Sequence, residues 1–263
     1  MQEGIKALGR AIAEAEKVVV FTGAGVSTEC GIPDFRSPGG LWSRYDPSDF
    51  YFHRFLTSEA SRKVYWRMYR EFFPLLHKAS PGRAHRACKR LLEMGKLLAV
   101  ITQNVDGLHQ RAGVPDELVV ELHGRATEVR CLQCQEVYCS EEIERRLKGG
   151  CEVPTCDRCG GLLKPATVSF GQALPPEALS AAEKYAKECD LMIAAGSSLL
   201  VHPAAMIPLI AQEGGAKLAI VNLTPTPYDE RADLVIRGEA GEVMEKAVEE
   251  AEVISSRTPE RSG

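Results

Sequence analysis

The chain has 263 residues, 44% of them hydrophobic and 26% charged, with a formal net charge of -4. These values are ordinary for a globular protein, and the mildly acidic balance argues against general coating of nucleic acid. No apolar run approaches the roughly 20 residues that cross a bilayer, and the start lacks a signal-peptide core. We therefore expect a cytoplasmic protein with one large domain, or one domain carrying an inserted module.

The predicted elements alternate between helices and apolar strands along most of the chain. Apolar residues at helical spacing predict a first helix over 3–16, and the run VVVF then predicts a buried strand that enters a glycine turn. Further strand and turn segments are predicted at 97–107, 118–124, 162–171, 190–200, 217–225 and 232–238. Further helices are predicted at 59–73, 83–94, 176–188, 203–213 and up to about 251. This alternation predicts an α/β fold with a parallel sheet, followed by a disordered tail.

Polar or glycine-containing segments follow several of the predicted strands. Ligands of open α/β sheets bind beyond the carboxyl ends of the strands. We therefore expect one crevice to collect the polar turns at 23–27, 103–106, 123–124, 196–198 and 222–224.

The first glycine turn, GAGVSTECG, has two interpretations. Gly23, Gly25 and Gly31 would let backbone N–H groups approach a phosphate, but Thr28 stands where GxGxxG has its third glycine. A plain strand-to-helix turn is the alternative. The next loop offers Arg36 as a phosphate ligand and Phe35 as a cover for a ring, with a surface salt bridge as the alternative.

Nine cysteines are the unusual feature of the composition, and six of them lie between positions 131 and 159. An odd count without a signal peptide argues against a disulfide framework. Two CxxC pairs predict a closed, structural zinc site. The predicted ligands are Cys131, Cys134, Cys156 and Cys159. Cys139 and Cys151 are weaker candidates, and Cys30, Cys88 and Cys189 are interpreted as free thiols. Zinc ribbons also occur in proteins that bind nucleic acid. The segment between the two CxxC pairs carries both acidic and basic residues, which gives that interpretation little support.

Several separated strings together resemble the sirtuin family of NAD-dependent protein lysine deacylases, most of all its bacterial and archaeal members. Besides the CxxC pairs they are GAGVSTECGIPDFRS (23–37), TQNVDGLHQRAG (102–113), ELHG (121–124), VSFGQALP (168–175), GSSLLVHPAA (196–205) and IVNLTPTP (220–227). The resemblance covers about residues 5–250. It implies a Rossmann-like NAD-binding domain over 1–37, 81–125 and 165–252, a helical insertion over 38–80 and a zinc-binding insertion over 126–164, with a tail over 253–263.

The resemblance also implies a site for NAD, which the reaction consumes. Asn104 and Asp106 would form the nicotinamide pocket, Arg36 would contact phosphate, and Asn222 would hold the adenosine ribose. The whole set is Gly23, Ala24, Gly25, Asp34, Phe35, Arg36, Gln103, Asn104, Asp106, His123, Gly196, Ser197, Ser198, Asn222, Leu223 and Ala240.

His123 matches the catalytic base of the family. The implied reaction releases nicotinamide as the acyl oxygen attacks the ribose C1′, and the 2′-hydroxyl then captures the acyl group. A histidine suits this step because its pKa lies near neutrality. The implied products are deacylated lysine, nicotinamide and 2′-O-acyl-ADP-ribose, which makes the enzyme an acyl transferase. Without the surrounding motifs, a structural histidine would be the favoured interpretation.

The partners implied are acyl-lysine proteins or peptides, clamped in an extended form by backbone pairing. The resemblance assigns Val168, Phe170, Gly171 and Val201 to this site. Gln172 and Ser169 depart from the common family string beside it. Family members that prefer acidic acyl groups typically carry a Tyr-x-x-Arg pair in this segment. The pair is absent here, because the residues three positions after Tyr65 and Tyr69 are Met68 and Phe72. Arg67 or Arg70 pointing into the pocket is the alternative, but a solvated helix face is the favoured interpretation for both. An uncharged acyl group is therefore expected, acetyl first.

Three other functions remain open from the sequence. The same C1′ electrophile could be captured by another side chain, which would give protein mono-ADP-ribosylation. A nucleotide-sensing zinc scaffold without catalysis is disfavoured because the candidate catalytic residues are present. A hydride-transferring dehydrogenase is disfavoured because the first turn lacks GxGxxG.

Overall fold

The computed structural model describes residues 1–257 and contains two sheets. The strands are β1 (Val18–Thr22), β2 (Leu97–Thr102), β3 (Val119–Glu121), β4 (Gly124–Cys131), β5 (Val137–Cys139), β6 (Leu163–Thr167), β7 (Leu191–Ala195), β8 (Lys217–Val221) and β9 (Leu234–Ile236). The α-helices are α1 (Gln2–Glu14), α2 (Phe52–Thr57), α3 (Glu59–Lys78), α4 (Arg83–Glu93), α5 (Leu108–Arg111), α6 (Ser140–Lys148), α7 (Pro176–Glu188), α8 (Ile207–Glu213) and α9 (Ala240–Arg257).

The larger sheet has six parallel strands in the order β3-β2-β1-β7-β8-β9. Its central strands β1 and β7 are buried along their whole length, because helices cover both faces. On one face, Leu8 and Ile12 of α1 pack with Val243 and Val248 of α9. On the other face, α7 and α8 supply the apolar layer. The predicted Rossmann-like sheet is therefore confirmed.

The strand order reverses direction at β1, because β2 and β3 extend the sheet on one side of it and β7, β8 and β9 extend it on the other. Such a switch point opens a crevice at the carboxyl ends of the central strands. The loops that follow β1, β2 and β7 meet there, since Gly23 N–H donates to Ala195 O (3.1 Å) and Gln103 N–H donates to Thr22 O (2.9 Å).

The smaller sheet is antiparallel, in the order β5-β4-β6, and lies against α3 and α6. Its core brings Trp66 and Phe73 of α3 together with Val129 of β4 and Ile143 of α6. This packing joins the helical segment around α3 to the cysteine-bearing segment. The exact limits assigned to the two insertions from the sequence stay a prediction.

Two predicted helix ends differ from the structure. α3 continues past 73 to Lys78 with Pro74 inside it, because Phe73 and Leu76 on either side are buried in the core of the smaller sheet. α9 runs to Arg257 instead of ending near 251, so the predicted tail from 253 is wrong for residues 253–257. The sequence offers no glycine or proline stop there before Pro259. The rest of that predicted tail, residues 258–263, lies outside the described residues.

Within residues 1–257, no helix combines the length and the apolar character that a membrane span requires.

Candidate active site at the carboxyl ends of the strands

The two glycines after β1 are required by close packing between loops. A Cβ added to Gly23 would lie 2.7 Å from Gly196 O, and one added to Gly25 would lie 2.8 Å from Gly196 Cα. Gly25 N–H donates to Gly196 O at 2.9 Å. Gly196 itself has a φ of +63°, in the left-handed region that favours glycine. Loop packing therefore requires these glycines, and the phosphate contact that the sequence suggests for them stays a prediction.

Asn104 and Asp106 lie side by side in a buried polar network behind the β1 turn. Asn104 Nδ2 donates to Gly23 O (3.0 Å) and Ser27 Oγ (3.1 Å), and Ser27 Oγ donates to Asp106 Oδ2 (2.8 Å). The other Asp106 oxygen accepts from Leu108 N–H at 2.9 Å. The Asn104 amide nitrogen and both Asp106 oxygens thus have partners, which fixes the two side chains in place.

Two histidines support this network, and the sequence did not assign either of them a place in the site. His85 Nε2 lies 3.5 Å from Ser27 Oγ, and His109 Nε2 lies 3.0 Å from Thr22 Oγ1. Their rings are 4.7 Å apart. Burial lowers the pKa of both imidazoles, so each is neutral near pH 7. An available signal was their position in the sequence, since His85 lies in the first turn of α4 and His109 lies three residues after Asp106.

His123 lies between β3 and β4 with its ring held in one orientation. Its Nδ1 is 2.9 Å from the carbonyl oxygen of Gln103, which can only accept, so Nδ1 carries the proton. The Nε2 lone pair is therefore free to accept a proton. Burial lowers the pKa of the ring and outweighs the opposing effect of the hydrogen bond to Gln103 O. A neutral, oriented imidazole is the form that a general base needs.

Gln103 contacts both His123 and the loop after β7. Its backbone carbonyl accepts from His123, while its side-chain Nε2 donates to Ser197 Oγ at 2.8 Å. Ser197 is buried, and its Oγ also accepts from Leu199 N–H at 3.2 Å. Gln103 and Ser197, assigned to the same ligand from the sequence, are therefore in direct contact.

The loop from 31 to 44 carries the acid, aromatic and arginine noted in the sequence. Asp34 accepts from the N–H groups of Arg36 (3.1 Å) and Ser37 (2.9 Å), so it shapes the loop. Phe35 is 39% exposed and packs against Trp42 at 5.4 Å. The Arg36 side chain is exposed and has no ion-pair partner among residues 1–257. It is thus available to an anionic ligand.

The residues assigned to adenosine lie farther along the sheet. Asn222 follows β8, and its Nδ2 donates to Thr224 O at 2.9 Å. Leu223 is 66% exposed, and Ala240 is buried at the first position of α9. Ser198 sits next to Ser197 in the loop after β7.

A cavity of about 280 Å³ connects the central part of this crevice with the smaller sheet and α3. That volume is close to the lower limit for small-molecule sites, roughly 300 Å³. Of the residues predicted from the sequence, the cavity wall includes Ala24, Phe35, Arg36, Gln103, Asn104, Asp106, His123, Val168, Phe170, Gly171 and Val201. The wall does not include Gly23, Gly25, Asp34, Gly196, Ser197, Ser198, Asn222, Leu223 or Ala240.

The strand segment after β6 forms one edge of the cavity. Val168 N–H donates to His123 O at 2.9 Å, and Phe52 N–H donates to Phe170 O at 2.8 Å. The two positions that depart from the common family string contact each other, since Ser169 N–H donates to Gln172 Oε1 (3.1 Å) and Gln172 N–H donates to Ser169 O (3.0 Å). A glutamate at position 172 could accept the same hydrogen bond from Ser169 N–H through a carboxylate oxygen. Glutamine in place of the usual glutamate therefore leaves this turn intact.

The four cysteines of the CxxC pairs form one cluster. Their sulfur atoms all lie within 4.8 Å of one another. Cys131 Sγ is 3.5 Å from Cys159 Sγ, and Cys134 Sγ is 3.6 Å from Cys156 Sγ. Those distances are far beyond a disulfide and close to the roughly 3.8 Å expected between sulfurs bound tetrahedrally to zinc at about 2.3 Å. The four side chains therefore fit a structural zinc ion.

Backbone N–H groups and a tyrosine support these thiols. Gln133 and Cys134 direct their N–H groups at Cys131 Sγ (3.4 and 3.5 Å), and Tyr138 Oη lies 3.2 Å from Cys156 Sγ. Such donors stabilise thiolates, the form that binds zinc. Cys139 and Cys151 are exposed and are not members of the cluster.

The remaining cysteines are free thiols, as expected. Cys88 and Cys189 are buried, and Cys30 is half-buried. Burial raises the pKa of the Cys88 thiol to about 12, so it is not a reactive thiolate.

Comparisons with known proteins agree with this geometry. The chain is 47% identical over 244 residues to a protein named NAD-dependent protein deacetylase 1 from Bradyrhizobium diazoefficiens, covering 93% of this chain and 95% of the relative. It is 43% identical over 258 residues to NAD-dependent protein deacylase 2 from Archaeoglobus fulgidus, covering 97% and 99%.

Solved structures match over nearly the whole chain. One is a structure that was solved to explain the mechanism and regulation of Sir2 enzymes. It has a TM-score of 0.87 and 42% sequence identity, and the match covers 97% of this chain and 100% of the other. A Sir2 complex with deacetylated p53 peptide and 3′-O-acetyl ADP ribose also has a TM-score of 0.87, with 40% identity and coverage of 94% and 98%. The family model described as "Sir2 family" matches residues 23–203. The chain therefore belongs to the Sir2 family.

Proposed function

We propose that the protein is an NAD-dependent protein lysine deacetylase, which transfers the acyl group to ADP-ribose and releases nicotinamide. The observation that carries this function is the placement of His123. Its ring is fixed by Gln103 O and lines the same cavity as Asn104, Asp106 and the Val168 edge. A proton acceptor thus lies between the residues proposed for the cofactor and those proposed for the peptide. NAD is consumed as a co-substrate, and one structural zinc holds the cysteine cluster.

The nicotinamide pocket is proposed to consist of Asn104 and Asp106. Both are buried and held by Ser27, so a carboxamide bound there meets donors and acceptors that need no rearrangement. Phosphates are proposed to lie along the β1 turn and the loop after β7, with Arg36 closing over them. Asn222, Leu223 and Ala240 are proposed to hold the adenosine end.

The chemical steps place specific demands on this site. The acyl oxygen bonds to the ribose C1′ as the C1′–nitrogen bond breaks, and nicotinamide leaves with the electron pair. His123 Nε2 then accepts a proton through the ribose hydroxyls, and the 2′-oxygen attacks the carbon of the acyl group. Addition of one water molecule releases the free lysine amine and 2′-O-acyl-ADP-ribose. A weak nucleophile such as an amide oxygen needs close positioning, which the narrow cavity supports.

The acyl-lysine peptide is proposed to lie between the segment at 168–171 and the loop at 200–203. Val168, Phe170, Gly171 and Val201 all line the cavity, so the acyl-lysine side chain could enter there from an extended peptide. Arg67 and Arg70 are exposed and lie outside the cavity wall, which favours an uncharged acyl group.

We also propose that the protein works in the cytoplasm and does not bind nucleic acid directly. The support is chemical, because nine cysteines without a disulfide among residues 1–257, four of them clustered as candidate zinc ligands, persist best in a reducing compartment. A net charge of -4 gives no excess of cations for a phosphate backbone.

The test is incubation with an acetyl-lysine peptide and NAD, with products identified by mass. We expect deacetylated peptide, nicotinamide and O-acetyl-ADP-ribose in equal amounts. ADP-ribose attached to protein, without acetyl transfer, would support mono-ADP-ribosylation instead. NAD binding without consumption would support a sensing scaffold, and an absorbance change at about 340 nm would indicate hydride transfer to the nicotinamide ring.

A further inference from the structure

A buried lysine lies beside the proposed peptide-binding edge, and the reaction steps above give it no role. Lys164 belongs to β6 and is 2% exposed. It forms no ion pair with a carboxylate among residues 1–257. Moving a charged group out of water is costly unless strong hydrogen bonds replace its hydration. The groups that accept its hydrogen bonds therefore show what the buried ammonium stabilises.

These acceptors are backbone carbonyls at the end of β6. Lys164 Nζ donates to Thr167 O and, at 3.4 Å, to Pro165 O. The same nitrogen lies 5.7 Å from the centre of the Tyr65 ring, and Tyr65 Oη lies 3.2 Å from Thr167 Oγ1. Thr167 is therefore held through both its carbonyl oxygen and its hydroxyl group. The pairing of β4 with β6 shifts register in this region, so the ladder itself supports the segment less.

One peptide unit connects the lysine to the proposed base. Its carbonyl oxygen, that of Thr167, accepts from Lys164. Its N–H, that of Val168, donates to His123 O at 2.9 Å. A cation at the carbonyl oxygen makes the N–H of the same unit a stronger donor, because hydrogen bonds in a chain polarise one another. Lys164 thus acts through a single amide group on the backbone of His123 and on the start of the peptide-binding edge.

We propose that Lys164 is a positioning residue of the deacylase reaction, which fixes the Thr167–Val168 peptide unit and thereby aligns the substrate peptide with His123. This inference rests on the proposed function. The lysine side chain is not part of the cavity wall, whereas Thr167 and Val168 are, so it acts without touching substrate. Its loss should lower kcat and weaken peptide binding. NAD affinity should change little, because most residues proposed to hold NAD lie on the loops after β1, β2, β7 and β8.

Lys96 provides a matched control. Its Nζ also donates to two backbone carbonyls, Ala13 O (2.8 Å) and Ala15 O (2.6 Å). Lys96 directly precedes β2, so it lies at the amino ends of the parallel strands, on the opposite side of the sheet from the site. Lys164→Met and Lys96→Met therefore remove the same kind of contact, and both should lower the melting temperature. Only Lys164→Met should affect catalysis.

The variants are compared with the unmodified protein at a temperature where all are folded. For Lys164→Met, kcat with an acetyl-lysine peptide should fall at least about tenfold, because a misplacement of about 1 Å can cost about 10²-fold. The dissociation constant of that peptide, measured by calorimetry without NAD, should rise at least about fivefold, as expected for loss of one backbone hydrogen bond. For Lys96→Met, both quantities should stay within about twofold, because the change is distant from the site.

Lys164→Gln covers a failure of Lys164→Met to fold. Its amide can donate to one of the two carbonyls without burying a charge, so it should show the same two effects at smaller size. A folded Lys164 variant with kcat and peptide affinity within about twofold of the original would overturn the proposal, as would equal losses in Lys164→Met and Lys96→Met. Absence of acetyl turnover in the unmodified protein would instead refute the deacylase function itself, and peptide binding would then still decide the role of Lys164.

Discussion

The backbone N–H of Val168 donates a 2.9 Å hydrogen bond to the carbonyl oxygen of His123. The proposed base and the proposed peptide-binding edge are therefore joined directly, at the point where β4 and β6 begin to pair. A movement of one segment would displace the other, so the alignment of peptide and base depends on this junction.

Gly124, next to His123, makes this junction possible. Its φ is +74°, and an added Cβ would overlap the carbonyl oxygen of Ala166. We expect Gly124→Ala to lower the free energy of unfolding by more than about 3 kcal/mol and to abolish activity, because left-handed strain of about 1–2 kcal/mol adds to a backbone clash. Denaturant unfolding measures the change.

Gly95 is the control for this variant, because its φ is +71° but an added Cβ would meet nothing within 4 Å. Gly95→Ala should cost only the strain, about 1–2 kcal/mol. Equal losses in the two variants would mean that the contact with Ala166 does not matter.

His123→Ala should reduce deacetylation by about 10²–10⁴-fold, the usual contribution of a general base. The melting temperature should change little, since the ring makes one hydrogen bond, to Gln103 O, at the cavity wall. Steady-state kinetics with an acetyl peptide and NAD measure the loss. A variant that keeps more than about a tenth of the original kcat would show that another group accepts the proton.

The pH dependence of activity should reflect the same histidine. Burial lowers its pKa, so the neutral, active form persists below the ordinary value of about 6.5. The acid limb of the kcat/KM profile should therefore have its midpoint below about 6.5. A midpoint clearly above that value would contradict the assignment.

Stability should also fall as the pH is lowered from 7 to 5. His85 and His109 are buried with lowered pKa values, so the unfolded chain takes up protons near pH 6.5 that the folded chain does not. The free energy of unfolding then decreases as the pH falls through the unfolded value toward the folded one. His109→Gln should make this slope shallower, and His53→Gln, at an exposed position, should leave it unchanged.

Zinc content should depend on the cysteine cluster alone. Cys134→Ser removes one of the four ligands, so we expect loss of the metal and a lower melting temperature, because zinc binding contributes directly to folding. Elemental analysis of the unmodified protein should give one zinc per chain. Cys139→Ser is the matched control and should retain the metal, because Cys139 is exposed and outside the cluster. Loss of zinc in both variants would refute the assigned ligand set.

Some features of the site follow from local sequence and others do not. The zinc ligands were predictable because each CxxC pair places two thiols on one turn, and the parallel sheet was predictable from alternating helices and apolar strands. The support of Asp106 by Ser27, which His85 contacts in turn, was not, since it joins three segments distant in sequence.

A buried lysine illustrates the same limit of sequence reasoning. Lys164 is 2% exposed, donates to the carbonyl oxygens of Pro165 and Thr167, and lies 5.7 Å from the Tyr65 ring. A lysine in a sequence is ordinarily assigned to the surface. Its burial here depends on backbone carbonyls exposed by the irregular pairing of β4 and β6, which the sequence pattern does not reveal.

Gln103 holds His123 through its main chain and Ser197 through its side chain. Any amino acid placed at this position would still offer the carbonyl oxygen. A substitution could therefore change the side chain at 103, and with it the contact with Ser197, without removing the carbonyl oxygen that orients the His123 ring. The proposed cofactor contact and the proposed proton transfer would then be separately adjustable at a single residue.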